Sequence, residues 1–356
     1  MRLSYLLVAL LPFALGACEI APKTSSQNGY RGTGMDQIKL ADGAGSAEVP
    51  APPYELPPAG EVTAGEAYEN VQVLANVSDE EFTYLMAAIT EWVAPEEGCN
   101  YCHNPANLAS DEVYTKVVAR KMIQMTQNLN SGWGSHVGNT GVTCWTCHRG
   151  NNIPENTWSA AAAPKSKGFA NVKRNDNTPT ANTVFASLPG NYADLFLGGG
   201  DGVDHIKISS GTVYPSAANT RTTMNAEPTY ALMNHMSDAL GVNCTYCHNT
   251  QGFRDWKISK PQRATAWHGL RMVGDINENY ISPLADVFPT NRLGSEGDPL
   301  KTNCATCHQG QSKPMGGYPM AKDYPALRLM PSEISSAIMA EATEEAEADT
   351  DASEGE

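Results

Sequence analysis

Four short motifs contain the residues of this chain that are best suited to chemistry. Each motif has two cysteines separated by two residues, and a histidine directly follows the second cysteine. Two thiols at this spacing on a helical turn can reach the two vinyl groups of one porphyrin, and the next residue is then held under the iron as an axial ligand. The sequence therefore predicts four covalently bound c-type haems. The motifs are Cys99-Asn-Tyr-Cys102-His103, Cys144-Trp-Thr-Cys147-His148, Cys244-Thr-Tyr-Cys247-His248 and Cys304-Ala-Thr-Cys307-His308.

A zinc site or a redox dithiol is the alternative for any single motif of this kind. Zinc ribbons need cysteine pairs that match each other, and neither they nor disulfides require a histidine after each pair. Because all four pairs are followed by histidine, haem attachment is favoured. Attachment of c-type haem takes place outside the cytoplasm, so the motifs also predict the compartment.

Each iron needs a second axial ligand, because an electron carrier closes this position with Met or His. Met86, Met122 and Met233 lie on predicted helices before the first, second and third motifs. Core packing is the alternative role of a helical methionine. Met125 and Met236, one turn further on, are the rival ligands.

Two residues compete for the fourth iron. Strict repetition of the pattern favours Met272, whereas His136 lies in a loop and has no cysteine motif of its own. The residues alone give the two candidates equal weight. The remaining histidines, His205, His235 and His268, are interpreted as structural.

The elements that position these residues are predicted to be helices that precede the motifs. The expected fold class is mainly α, with long irregular loops and a few short strands, as a multihaem cytochrome c with two pseudo-repeated dihaem halves. Capping residues and prolines mark the helix ends. The predicted helices run from Ser78 to before Pro95, from Ser110 to about Asn130, from Pro228 to Gly241 and from Pro261 to about Asn279.

An internal duplication supports the two halves. The segment Phe82–Met86 before the first motif resembles Pro228–Met233 before the third. Likewise, Val118–Met122 before the second motif resembles His268–Met272 before the fourth. The chain therefore divides into two units that each carry two motifs.

The N-terminus indicates export and anchoring. A positive start, the apolar run Leu6–Leu11 and Leu-Gly-Ala before Cys18 are typical of a lipoprotein signal, in which Cys18 is lipidated. The alternative is an ordinary signal peptide. The predicted segments are 1–17 signal peptide, 18–64 lipid-anchored proline-rich tether, 65–155 first dihaem half, 156–224 connecting segment with coil and short strands, 225–330 second dihaem half and 331–356 acidic disordered tail.

Composition excludes two classes of protein. Among the 356 residues, the single prominent apolar stretch, Leu6–Ala17, is too short for a membrane span, so a polytopic membrane protein is excluded. A net charge of −15 disfavours binding to nucleic acid, which needs a basic surface.

The flanks of the motifs resemble the tetrahaem cytochrome subunit of purple-bacterial photosynthetic reaction centres. The resemblance extends from about Gly65 to Leu327 and includes haem sites, ligand spacings and neighbouring residues. It is carried by Leu85–Ala88, Glu97–His103, Asn107–Ser110, Val118–Met122, Thr140–Gly150 and Pro261–Trp267.

This resemblance implies three His/Met haems and one His/His haem. Met272 then becomes a packing residue, and Arg263 lies beside the third haem, where its charge raises the potential. His268 stands where an aromatic residue is expected. The implied axial pairs are Met86 with His103, Met122 with His148, Met233 with His248 and His136 with His308.

The resemblance also implies a function. The four haems would pass electrons from a soluble donor, a c-type cytochrome or a high-potential iron–sulfur protein, to the photo-oxidised bacteriochlorophyll special pair of the membrane-embedded core. The subunit would sit lipid-anchored on the periplasmic face of the photosynthetic membrane and would be an electron carrier, not an enzyme. The alternatives are another membrane-anchored multihaem carrier and a multihaem reductase, which would need an open iron.

Overall fold

The computed structural model of the chain describes residues 23–27, 36–40, 49–160, 179, 183–206, 208 and 223–329. The predicted signal peptide, Cys18 and the predicted acidic tail lie outside the described residues. The predicted tether and connecting segment are described only in part.

Helices make up nearly all regular structure of the described residues, so the expectation of a mainly helical fold with few strands is confirmed. Two strands, β1 (Lys23–Gln27) and β2 (Asp36–Leu40), pair antiparallel. The α-helices are α1 (Ala64–Ala67), α2 (Asp79–Val93), α3 (Tyr114–Gly132), α4 (Gly134–Val137), α5 (Cys144–His148), α6 (Tyr192–Phe196), α7 (Thr223–Leu240), α8 (Pro261–Asp275) and α9 (Cys304–His308).

Short 3₁₀ and π-helical turns form much of the remaining described chain. A π-helical turn, Ile276–Ile281, continues directly from α8. The 3₁₀ turns are Gly98–Tyr101, Gly202–Ile206, Cys244–Tyr246, Ser282–Leu284, Thr290–Arg292, Pro314–Gly317, Met320–Asp323 and Pro325–Arg328.

The start of α2 agrees with the sequence, and the start of α3 does not. The Ser78 hydroxyl accepts a hydrogen bond from the backbone N–H of Glu81, 3.3 Å away, and so caps α2. The prediction that a helix begins at Ser110 is wrong, because α3 begins at Tyr114. The reason is that the Asp111 carboxylate accepts two bonds from the guanidinium of Arg120, at 2.8 and 2.9 Å, instead of capping a helix there.

Two prolines behave differently. Pro261 occupies the first turn of α8, as predicted. Pro228 was expected to begin α7, and this prediction is wrong, because α7 begins at Thr223 and contains Pro228. Pro228 is the sixth residue of α7, beyond the first four N–H groups that lack partners, so it removes one backbone hydrogen bond from the helix. Gly241 follows α7 with a φ of 63°, a conformation that suits glycine at a helix end.

The short strands lie elsewhere than expected. The described part of the connecting segment contains α6, a 3₁₀ turn and a single bridge from Trp158 to Lys301, but no strand. The β1–β2 hairpin belongs instead to the stretch predicted as a tether. Alternation of apolar and polar residues is weak in both places, so the pattern of residues does not distinguish a strand in one from a strand in the other.

The described residues form three apolar clusters. The first surrounds α2 and includes Trp92, the second joins α6, α7 and α8 around Leu232, and the third joins α3 to the π-helical turn around Ile276. Among the described residues, no helix combines the length and apolar character needed to cross a membrane.

Candidate haem-binding sites

The four motifs fall into two structural classes. In the first and third, called the odd motifs, the cysteine pair lies on the 3₁₀ turns Gly98–Tyr101 and Cys244–Tyr246. In the second and fourth, called the even motifs, the pair lies on the short helices α5 and α9. The first cysteine is exposed in both odd motifs and half-buried in both even motifs.

Local sequence explains the helical form of the even motifs. A threonine precedes the second cysteine, and its hydroxyl accepts the backbone N–H three residues earlier. The distance is 3.0 Å for Thr146 to Thr143 and 3.0 Å for Thr306 to Asn303. This bond satisfies a donor at the helix start. The residue after each histidine then adopts a left-handed conformation that ends the helix.

Every motif histidine is oriented by a backbone carbonyl. A carbonyl oxygen only accepts hydrogen bonds, so each Nδ1 carries the proton and Nε2 keeps a lone pair for a metal. The acceptor lies five residues after the histidine in the odd motifs and three residues after it in the even motifs. The bonds are His103 to Leu108 at 2.9 Å, His248 to Phe253 at 2.8 Å, His148 to Asn151 at 2.9 Å and His308 to Gln311 at 2.8 Å.

Burial favours the neutral form of several motif histidines and cysteines. Desolvation lowers the pKa of His148 and His248 and brings that of His308 to about 4, so these imidazoles are neutral, as metal binding requires. Burial also raises the pKa of Cys144 and Cys304 to about 12, and a protonated thiol is a poor zinc ligand or redox nucleophile. Within the described ranges, no three His, Cys, Asp or Glu residues lie close enough to hold a metal by themselves.

One apolar cleft brings together the residues predicted for the second haem. Its lining includes Cys144, Cys147, His148 and Met122, and its empty volume is about 1240 Å³, counting the part that opens to solvent. Most of its other walls are apolar side chains of α2, α3 and the segment 281–300. The cleft thus has the attachment points, the apolar walls and both axial candidates that a haem needs. Met125 lines it too, so the rival remains.

The fourth motif faces His136. The ring centres of His136 and His308 are 6.0 Å apart, with planes inclined at 70°. Metal–imidazole bonds are about 2 Å long and a ring centre lies roughly 1 Å behind its nitrogen, so two imidazoles on one metal have centres about 6 Å apart. The spacing therefore suits a shared iron. Nδ1 of His136 donates to the Thr265 carbonyl at 2.9 Å, which leaves Nε2 available.

The methionines take two kinds of position. Met86, Met122 and Met233 are partly buried, and each lies at the edge of a different apolar cluster. Met272 is 6% exposed and packs inside the third cluster, beside Ile276. Its environment therefore fits packing rather than iron ligation.

The even motifs touch each other. The sulfur atoms of Cys147 and Cys307 lie 2.7 Å apart, although 160 residues separate them in the chain. Groups attached at these two motifs must therefore lie side by side.

Arg263 lies beside the third motif. Its guanidinium stacks 4.0 Å from the centre of the Trp256 ring and donates to the Ser259 hydroxyl at 2.7 Å. Burial lowers the pKa of His248, and the nearby positive charge of Arg263 lowers it further. The hydrogen bond to the Phe253 carbonyl opposes this change. A position beside the third haem, which the resemblance implies for Arg263, stays a prediction.

Sequence reasoning missed the supports of the histidines. The carbonyl acceptors leave no signal, because every residue has a carbonyl group. The difference between the two motif classes is visible in the sequence, because tyrosine precedes the second cysteine in the odd motifs and threonine precedes it in the even motifs. Gly269, which packs against His136, also gave no signal beyond being a glycine within a helix.

Comparison with known proteins gives consistent matches over most of the chain. The profile of the family described as "Photosynthetic reaction centre cytochrome C subunit" matches residues 19–328. The photosynthetic reaction center cytochrome c subunit of Rubrivivax gelatinosus is 46% identical over 345 residues, which cover 95% of this chain and 93% of that protein. Its counterpart in Thermochromatium tepidum is 46% identical over 314 residues, 87% of this chain and 76% of that protein. Cytochrome c-554 of Chloroflexus aurantiacus is 26% identical over 292 residues, 69% of each chain.

Proposed function

The chain belongs to the family of photosynthetic reaction centre cytochrome c subunits, and we propose that each of its four C-x-x-C-H motifs carries one c-type haem. It is an electron-transfer subunit of the reaction centre and an electron carrier rather than an enzyme. As a member of this family it binds c-type haem covalently and associates with the reaction-centre core at the membrane.

The proposed attachment sites are the eight cysteines of the motifs. A bound c-type haem supplies an iron that takes up and releases one electron reversibly. The protein's part is to hold two axial ligands per iron at fixed distance, so that oxidation and reduction need little rearrangement. The proposed pairs are Met86 with His103, Met122 with His148, Met233 with His248 and His136 with His308.

The orientation of the histidines is the observation that carries this proposal. All five proposed axial histidines donate Nδ1–H to a backbone carbonyl at 2.8–2.9 Å, so that every Nε2 is free to bind iron. Two protein ligands on each iron leave no position for a substrate, as an electron carrier requires.

The two classes of motif support the proposal of two pseudo-repeated dihaem halves, 65–155 and 225–330. Each half contains one odd motif followed by one even motif. The stretch 156–224 then connects the halves.

The finer location and the donor are also part of the proposal. We place the subunit on the periplasmic face, since c-type haem is attached outside the cytoplasm, and we place a lipid anchor at Cys18, which follows Leu-Gly-Ala. A small soluble c-type cytochrome or a high-potential iron–sulfur protein would supply the electrons.

Haem counting tests the proposal directly. The purified subunit should contain four covalent haems per chain by the absorbance of its pyridine complex. Replacing both cysteines of one motif by alanine should lower the count to three. A count that stays unchanged, or a wild-type count below four, would contradict the assignment.

A further inference from the structure

We propose that Gly269 is the positioning residue for the sixth ligand of the fourth haem. By carrying no side chain, it leaves the space that the His136 imidazole occupies and uncovers the backbone oxygen that orients the ring. This inference rests on the proposed pairing of His136 with His308.

The first support is the lack of space for any side chain at this position. A Cβ on Gly269 would lie 2.4 Å from Cε1, 2.7 Å from Nδ1 and 3.1 Å from Nε2 of His136. The optimal separation of carbon and nitrogen atoms that are not bonded to each other is about 3.5 Å or more. The imidazole therefore lies directly against the backbone of α8, where no residue other than glycine fits.

The second support is the backbone oxygen beneath the ring. Side chains of an α-helix lean toward its N-terminus and cover the preceding turn. A side chain at position 269 would therefore cover the carbonyl of Thr265, four residues earlier. With glycine there, the Thr265 oxygen accepts the Nδ1–H of His136 at 2.9 Å.

This arrangement distinguishes His136 from the other proposed axial histidines. Those four bond to carbonyls of their own loops, at most five residues away. The acceptor of His136 is 129 residues away, on a helix of the other proposed half. Its orientation is therefore set by how closely α4 approaches α8, and Gly269 sets that approach.

His136 has no room to move away from an added methyl group. The rings of His136 and His308 are already at the spacing of two imidazoles on one iron, 6.0 Å between centres. A displacement of the ring would lengthen one iron bond or break the bond to Thr265. We therefore expect even alanine at position 269 to disturb the fourth haem selectively.

The first experiment replaces Gly269 by alanine in the full-length protein in its native membrane. Two readouts are taken: the spectral shift of the reduced haems with carbon monoxide, and the low-spin ferric EPR signal of the His/His haem. We expect a carbon monoxide-reactive component of up to one haem in four, with loss of the His/His signal. Wild-type spectra would overturn the proposal.

Gly274→Ala is the matched control. Gly274 lies on the same helix, and its added Cβ would meet the Cα of Gly199 at 3.5 Å, an ordinary contact. Both substitutions make the same change in helix propensity, so a general effect on α8 would appear in both variants. We expect Gly274→Ala to leave both spectra unchanged, and an equal change in both variants would overturn the proposal.

A second experiment remains decisive if Gly269→Ala alone fails to assemble. His136→Gly removes the imidazole, so an alanine at position 269 then meets no ring and the double variant folds without this clash. Free imidazole added to His136→Gly should bind the vacated iron. Its dissociation constant should be at least about ten times higher in His136→Gly/Gly269→Ala. A factor of this size corresponds to an ordinary overpacking penalty.

The outcomes separate this inference from the proposed function. Equal imidazole affinity in the single and double variants would overturn the role of Gly269 and leave the pairing of His136 with His308 intact. If His136→Gly produced no open haem, the pairing itself would be wrong, and the inference would fall with it.

Discussion

The odd and even motifs share one chemical pattern but hold it in different ways. The odd motifs lie on 3₁₀ turns with an exposed first cysteine, and their histidines bond to a carbonyl five residues on. The even motifs lie on capped α-helical turns, and their histidines bond to a carbonyl three residues on. The even motifs touch each other through Cys147 and Cys307. The shared C-x-x-C-H pattern therefore predicts the same covalent chemistry at all four motifs, while the local backbone and the burial of the first cysteine differ between the two classes.

The residue before the second cysteine accounts for much of this difference. Thr146 and Thr306 are almost fully buried and close the first turn of a short helix with a side-chain hydrogen bond. Tyr101 and Tyr246 stand at the equivalent positions of the odd motifs and cannot close the turn in this way, because a phenol hydroxyl lies too far from its own backbone.

Removing the proposed methionine ligand of the haem at an even motif should produce the largest effect. Met122 is the proposed sixth ligand of the second iron. In Met122→Leu this thioether is removed, so we expect carbon monoxide binding and a fall in the potential of one haem on the order of 0.1 V, since a Met ligand raises the potential. Spectroscopic redox titration of the membrane-bound protein measures the shift.

Two further variants make this test specific. Met125 lines the same cleft, so Met125→Leu is the matched control and should leave all potentials in place. If Met125→Leu opens the haem instead, the ligand assignment is wrong. Met86→Leu opens an odd haem, and carbon monoxide should bind it faster than the even haem, because the first motif is more exposed.

Removing the helix-closing hydroxyl should cause a smaller loss of stability. The Thr306 hydroxyl accepts from the Asn303 N–H at 3.0 Å and donates to the Asn156 carbonyl at 3.1 Å. Thr306→Val keeps the shape but leaves the buried Asn303 N–H without its acceptor, whereas the Asn156 carbonyl keeps a bond from the Asn303 side-chain amide at 2.8 Å. The free energy of unfolding should therefore fall by about 1–2 kcal/mol. Denaturant titration of the haem-containing protein measures the change.

The equivalent change in an odd motif is Tyr246→Phe, which should alter stability by less than about 0.5 kcal/mol. Equal losses in the two variants would show that the distinction between odd and even motifs has no energetic meaning.

A buried lysine should tune the first haem more weakly. The Lys116 ammonium donates to the carbonyls of Leu108, Ala109 and Ser110 at 2.8, 2.7 and 3.0 Å. The Leu108 carbonyl is also the acceptor of His103. Lys116→Met removes a positive charge beside His103, the proposed axial ligand, so the potential of the first haem should fall by tens of millivolts, on the order expected for one nearby charge.

Lys121→Met is the control for Lys116→Met. Lys121 lies on the same helix and places its ammonium 5.2 Å from the centre of the Tyr280 ring. The same loss of charge at Lys121 should leave the first haem unchanged. A shift of similar size in both variants would show that the effect is one of overall charge.

The smallest expected effect is on the free energy of unfolding at acid pH, through Asp111 near the first motif. Hydrogen bonds from Arg120, and then from Lys116, lower the pKa of Asp111 to about 2. The stabilising contribution is therefore complete above the ordinary pKa of about 3.9 and is lost as pH falls through about 2. Because the Asp111 side chain is 40% exposed, Asp111→Asn should cost less than about 1 kcal/mol at neutral pH.

Denaturation at neutral pH and near pH 2 measures this difference. The wild type and Asp111→Asn should converge at the acid end. A gap that persists there would assign the effect to something other than this ion pair.

The sequence predicted what depends on spacing and missed what depends on packing. Cysteine spacing, the capping serine at position 78 and Pro261 at a helix start are local signals, and the helices agree with the last two. Pro228 and Ser110 misled, because α7 begins five residues before the proline and an ion pair with Arg120 took the Asp111 carboxylate. The resemblance, rather than the pattern, separated His136 from Met272, and no local signal could have identified Gly269, whose role depends on a neighbour 133 positions away in the chain.

Near-infrared magnetic circular dichroism of the fully oxidised, membrane-bound protein tests the central claim most directly, because its charge-transfer bands distinguish His/Met from His/His ligation. Three His/Met haems and one His/His haem should be found, with no high-spin component. A high-spin band, or a second His/His haem, would contradict the claim that every iron is held between two protein ligands in the proposed pairs.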